Sequence, residues 1–225
     1  MTTFQINKIK EEIVNFLRNS NIFSLSLRGV ATQTDTFTAT AGQTIFTLTK
    51  VPARNIRSLS VNAVSKTFIK DYSVNWDTSV LTLNVGALVG ESVVIVYDWG
   101  SPDKIFPDFP RDDLKLYSFP RVAVEWTTAD TQPLGLGGMV HISTILVTIY
   151  AWVPVNKDPA IASGYGGVTD LGTLLFNIRD AIRTNAKGFY SFPYIEPKGV
   201  SPIIKSTNNK IIQQSQDFSV RFVVE

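Results

Sequence analysis

The feature that most constrains the fold is a period of two running from Phe37 to Tyr97, in which apolar residues alternate with Thr, Ser and Asn. Phe37–Thr40 leads through Ala41-Gly42 into Thr44–Thr49. After Val51-Pro52 come Ile56–Asn62, Tyr72–Trp76 and Val80–Val85, and a turn over Gly86–Gly90 leads into Glu91–Tyr97. Successive side chains of a strand point to opposite faces, so this alternation buries one face of a sheet and wets the other. Turn residues cut the pattern into short β-branched and aromatic runs, which predicts a small antiparallel β-sandwich.

The flanks have a different texture. Ile6, Ile9, Ile13, Phe16 and Leu17 recur at helical spacing, with Lys8, Lys10, Glu11, Glu12 and Arg18 assigned to the opposite, solvated face. This predicts a helix over residues 3–19, opened by a Thr2/Gln5 capping box and stopped at Asn19-Ser20-Asn21. Residues 100–120 carry Pro102, Pro107 and Pro110 among charges, a loop or linker because proline cannot donate to a sheet. Beyond it, Arg121–Trp126 and Met139–Val153 read as strands and Gly164–Gly167 as a flexible loop. Asp170–Asn185 reads as a helix with Leu171, Leu174, Leu175, Ile178, Ala181 and Ile182 on one face, closed by Lys187-Gly188. Strands at Ile203–Lys205 and Phe218–Val224 follow. A lone helix and a helix-plus-hairpin each bury an apolar face poorly alone. The expected fold is therefore α+β, a mixed or antiparallel sheet with packed helices formed by residues 1–32 and 101–225, with an all-β sandwich of residues 33–100 inserted.

Composition narrows the function. There are no cysteines, which fits assembly in a reducing cytoplasm. Charged residues make up 18%, below the roughly 25% of ordinary soluble domains. Either neighbouring subunits cover much of the surface, or a Thr/Ser/Asn-rich β-surface replaces charge. The net charge of +2 is spread along the chain, without the basic footprint of a dedicated nucleic-acid binder. No apolar run approaches the roughly 20 residues that span a bilayer, and charges interrupt the N-terminal apolar residues, so neither membrane insertion nor a signal peptide is expected.

A search for catalytic chemistry assigns no catalytic, cofactor-binding or metal-binding residue. His141 is the only histidine and lies in an apolar strand, with no second histidine or cysteine to complete a metal site or a triad. Asp112-Asp113, Glu11-Glu12, Asp71, Asp77 and Asp98 could pair as carboxylates for glycoside hydrolysis, but each reads as solvated surface charge. Trp76, Trp99, Trp126 and Trp152 could line a sugar groove or serve as core and interface anchors. Gly135–Gly138 lacks the ending of a phosphate loop, and Gly164–Gly167 precedes a helix without a basic residue nearby. No enzyme activity and no cofactor are expected.

Two stretches resemble known families. Ala39–Leu48, Leu59–Asn62, Asp71–Val74, Leu81–Leu83 and Glu91–Tyr97 follow in the order of a small β-domain recurrent in phage tail and fibre proteins, departing where that pattern has glycine and this chain has Ala63. The flanking elements, an N-terminal helix, the Phe119–Trp126 strand, a long strand, the Asp170–Arg183 helix and a closing Phe218–Glu225 strand, are similar in order to tail terminator (tail completion) proteins of tailed viruses. That resemblance implies a structural virion protein in the tail or neck, assembled in the host cytoplasm. It would be a homo-oligomeric ring, a hexamer, that caps the tail tube and meets the tail tube protein and the head–tail connector, with DNA passing transiently through the lumen. Ring contacts are expected at Gln132–Gly138, at residues 101–120 and at Lys198–Gln216. The alternatives are another tail component (tube, baseplate or tip protein) and a receptor- or glycan-binding module.

Overall fold

The computed structural model describes residues 3–20, 31–100, 105–106, 120–133, 141–155, 166–206 and 210–224. They belong to two compact units, Ser24–Asp103 and Met1–Phe23 with Lys104–Glu225.

In the first unit the alternating segment forms β1 (Ala31–Thr38), β2 (Gln43–Thr47), β3 (Ala53–Val61), β4 (Val64–Ser65), β5 (Tyr72–Asn75), β6 (Val80–Ala87) and β7 (Ser92–Trp99). They make two antiparallel sheets, ordered β1-β7-β3-β4 and β2-β6-β5. The two sheets share one core, to which Phe46, Leu81 and Leu83 contribute from one sheet and Ile56, Leu59, Val93, Ile95 and Tyr97 from the other. The sandwich expected from the alternation is present, but its first strand starts six residues before Phe37. The Ala31–Thr36 run carries no aliphatic alternation because one of its inward positions is Asp35, which is 5% exposed.

Two turns explain the motif residues of this unit. Gly42 adopts φ +71, and the Gln43 N–H bonds the Thr40 carbonyl across the turn. The Gln43 side-chain Oε1 accepts from both the Thr40 N–H (3.0 Å) and the Thr40 hydroxyl (3.2 Å), which fastens the turn from outside. Between β3 and β4, Asn62 (φ +49) and Ala63 (φ +64) form a two-residue loop with both residues left-handed. Asn suits its position, whereas Ala63 sits where glycine is favoured.

The second unit contains α1 (Thr3–Asn19), β8 (Ile105–Phe106), β9 (Arg121–Pro133), β10 (His141–Pro154), α2 (Gly167–Thr184), β11 (Tyr194–Val200), β12 (Ile204–Lys205) and β13 (Ile211–Val224). The sheet order is β11-β13-β10-β9-β8, with β12 also on β13, and every pairing is antiparallel except β8 with β9. Ile9, Ile13, Val14 and Leu17 of α1 and Leu171, Leu174, Leu175, Ile178 and Ile182 of α2 join one core with the sheet. From β10 the odd-numbered residues Ile145 to Val153 enter it, and from β13 Phe218, Val220 and Phe222. Each fully buried large aliphatic side chain contributes about 1.5–3 kcal/mol before entropy. The unit is thus α+β, as the element order implies.

Several details differ from the sequence reading. Glu12 and Arg18 are buried, not solvated. The Glu12 carboxylate accepts the N–H groups of Tyr190 and Ser191, and Arg18 donates to the Ile105 carbonyl at 2.8 Å. A charge that ties a helix to a neighbouring loop, as Glu12 does, or to a strand, as Arg18 does, breaks the amphipathic pattern that placed both outside. Helix α2 ends at Thr184, with Asn185 as its cap at φ −95. Gly188 donates to the Asn185 carbonyl at 2.7 Å in a turn beyond the helix and is not a left-handed cap. β9 runs past Trp126 through Gln132 and Pro133, so the expected contact stretch Gln132–Gly138 opens on the end of a strand.

β11 is an additional strand, obscured by Pro197 and Gly199, and its pairing shifts register between Pro197 and Val200. An edge strand tolerates such residues. β13 begins seven residues earlier than expected, because the polar Gln213–Gln216 run bonds β11, Ser201 after it, and Trp152 of β10. Gln214 donates to the Ser201 carbonyl (3.0 Å), and Gln216, 1% exposed, donates to the Lys198 (3.3 Å) and Gly199 (3.1 Å) carbonyls. Thr2 of the expected capping box lies outside the described residues.

The β3–β4 loop yields a direct test. Ala63→Gly relieves a left-handed alanine and is expected to stabilise the sandwich by about 1 kcal/mol, read as a higher denaturant midpoint at unchanged slope. An unchanged or lower midpoint would mean that the loop carries no such strain.

Candidate functional site

Among the described residues, those singled out for chemistry are each accounted for locally within their own unit. His141 opens β10, half-buried, opposite Pro133 and Val224. Asp77 is exposed, and Asp71 accepts the Thr67 N–H of its own loop with one carboxylate oxygen, at 2.7 Å. Asp98, read from sequence as surface charge, is 0% exposed: its Oδ1 takes Arg57 Nε at 2.8 Å and the Thr32 hydroxyl at 2.9 Å. The alternation hid this, because β7 is central in its sheet and both of its faces are covered there. Glu11 is half-buried, and burial raises its carboxyl above the ordinary value against the opposing pull of Lys10 and Lys8. Asp112-Asp113 and Gly135–Gly138 lie outside the described residues, as do Gly164 and Tyr165.

The tryptophans are likewise dispersed. Trp76 and Trp99 pack against the sandwich core. Trp126 is paired with Val147, whose side chain enters the helix-covered core, whereas Trp152 sits on the opposite face of that sheet. At the α2 N-terminus, Gly166 donates its N–H to the Asp170 carboxylate at 2.9 Å, so the chain's own anion occupies that position. Among the described residues no group of three or more His, Asp or Glu is placed to hold a metal ion.

What the second unit does build is a polar sheet face and an apolar edge. On the face away from the helices, Thr148 of β10 lies in register with Glu125 of β9 and Asp217 of β13, and its hydroxyl donates to Asp217 at 2.8 Å. One step along β10, Tyr150 stacks on Trp152 with ring centroids 5.8 Å apart, and the Trp152 indole donates to Gln213 at 2.9 Å. Burial, reinforced by the charges of Glu125 and Asp217, raises the Tyr150 phenol above its ordinary value and keeps it neutral. These even-numbered positions were legible: Thr144, Thr148, Tyr150 and Trp152 alternate with aliphatic residues along β10.

At the β11 edge the chain from Tyr194 to Lys205 leaves Val200 (49% exposed), Ile203 (38%) and Ile204 (55%) open to solvent, together with Tyr194. Arg221 lies over the Tyr194 ring at 5.2 Å, and Lys198 bonds Glu196 at 2.7 Å. That hydrogen bond, then the Lys198 charge and a bond from Tyr194, hold the Glu196 carboxyl below the usual range. Its part from Lys198 to Lys205 falls within the Lys198–Gln216 stretch expected to make contacts. Of the other two expected contact stretches, most residues lie outside those described.

The sandwich has one strongly coupled polar centre. Asp35 accepts the Thr49 N–H (2.8 Å), the Thr49 hydroxyl (2.7 Å), the Tyr97 hydroxyl (3.0 Å) and the Gln33 amide (3.3 Å), while Tyr97 accepts the Lys50 N–H (2.8 Å). Burial works against the Asp35 carboxylate, but these donors together outweigh it and hold its pKa below the ordinary value.

A carboxyl whose pKa falls on folding adds stability above its unfolded-state pKa and loses it as pH drops through the folded value. Asp35→Asn is therefore expected to destabilise the sandwich at neutral pH, with the gap from the parent closing below about pH 4. Urea unfolding across pH checks this. A gap that stays constant with pH would assign the loss to packing alone.

No protein-family model matches the chain, and no curated protein matches it.

Proposed function

We propose that this chain is a non-catalytic structural subunit of a tailed-virus particle, a tail terminator or neck-ring protein that closes the tail tube against the head connector. The observation that carries the reading is the exposed aliphatic edge formed by Val200, Ile203 and Ile204 at one end of the six-stranded sheet. Open sheet edges are sites of pairing with other chains, and monomers ordinarily blunt them. The opposite end of the sheet is built differently, from the two-residue parallel strand β8 against β9. Two unlike ends are what a ring needs, because each subunit must present two different surfaces to its neighbours.

The order of elements in this unit, the basis of the resemblance to tail terminators, supports the same assignment. So does the paucity of charge. In this reading the β11–β12 edge docks on a neighbouring copy, and the ring then meets the tail tube and the connector.

The parent chain is expected to form rings at micromolar concentration, and the Ile203→Asp/Ile204→Asp double variant to remain monomeric with an unchanged circular dichroism spectrum. Mass photometry reads the difference. A parent chain that is itself monomeric, or a double variant that still closes into rings, would contradict the assignment.

A further inference from the structure

We propose that the sandwich binds a neutral oligosaccharide in the groove between the β3–β4 hairpin and the outer half of β6. This inference stands apart from the ring reading, because every residue it uses belongs to the sandwich. The groove has a volume of about 320 Å³, near the lower end of the range for small-molecule sites. Val61, Leu83 and Ala87 form its buried floor, while Val64 and Val85, 60% and 81% exposed, stand at its sides.

Its polar groups have unspent hydrogen-bonding capacity. Asp71 uses one carboxylate oxygen on the Thr67 N–H, and Glu91 uses one on the Leu88 N–H. Asn84 donates its amide to the Lys70 carbonyl at 2.7 Å, which leaves its side-chain oxygen to accept. Among the described residues, the side chains of Asn62, Lys66 and Lys70 make no hydrogen bond or ion pair, although all three line the groove.

The balance of these groups selects the ligand. An anion placed there meets Asp71 and Glu91, and a cation meets Lys66 and Lys70, so neither sign gains. A purely apolar ligand would strip water from six polar side chains and return nothing to them. A hydroxyl both donates and accepts, so a polyhydroxylated ligand can satisfy ammonium, amide and carboxylate groups together. Its C–H faces would pack on Val64 and Val85. None of the four tryptophans lines the groove, so recognition would rest on hydrogen bonds and aliphatic contact, not on ring stacking.

Isothermal titration calorimetry of the full chain with maltohexaose, cellohexaose and chitohexaose tests the proposal. At least one of these neutral oligomers is expected to bind with sub-millimolar Kd, unchanged at about 1 M salt, where charge attraction is screened. Lys66→Ala/Lys70→Ala is expected to weaken that binding about tenfold, and Val85→Asp to weaken it as well. All three positions are at the surface, so the melting temperature should not move. Failure of all three oligomers at millimolar concentration would overturn the proposal. So would binding that both variants retain in full, or binding confined to charged controls such as oligogalacturonate and chitosan hexamer.

Discussion

The α+β unit depends on β10. This strand pairs along its whole length with β13 on one side and nearly all its length with β9 on the other. Its odd-numbered side chains from Ile145 to Val153 meet both helices in one core, and its even-numbered ones carry the polar and aromatic opposite face. Because side chains alternate strictly, a one-residue slip would exchange the two faces and destroy the core. The single irregularity in its pairing with β9, at Leu146/Val147, is confined to one step, so the faces remain assigned on both sides of it. The helix contacts, the Thr148–Asp217 bond and the Tyr150–Trp152 stack all depend on that register.

The sandwich is organised by a different constraint. Asp35 is a buried carboxylate, and a buried charge is tolerated only when hydrogen bonds replace its lost hydration. It recruits Thr49, Tyr97 and Gln33, and through Tyr97 it reaches Lys50, so the edge strand β1, the segment after β2 and the central strand β7 meet at one carboxylate. On β7, one oxygen of the buried Asp98 carboxylate is likewise held by Arg57 of β3 and Thr32 of β1. The polar surface is thus matched by a core with charge inside it, each charge held by donors from neighbouring strands.

Periodicity made the aliphatic half of the structure legible. The repeated apolar residues of α1, α2, β10 and the alternating strands β2 to β7 mark buried faces, and the α+β unit and the sandwich follow from them. The parts that escaped are those where polar residues do the work of apolar ones. β1 carries Asp35 inward, the first half of β13 buries Gln216, and Glu12 and Arg18 sit in a helix interface. β11 was hidden by Pro197 and Gly199, which an edge strand can carry and a central one cannot. The exposed β11–β12 edge was legible only as a stretch of chain, because exposure of Val200, Ile203 and Ile204 depends on how β12 joins β13, which local sequence does not encode.

The register of β10 holds one sheet with two unlike ends, and one of them exposes aliphatic side chains. In the proposed reading, a ring subunit at the junction of head and tail uses both. Gold labelling of purified virus particles with an antibody to this chain, viewed by negative stain, tests that placement most directly. The account predicts label at the head–tail junction. Label along the tail or at its far end, or particles that bear none, would contradict it.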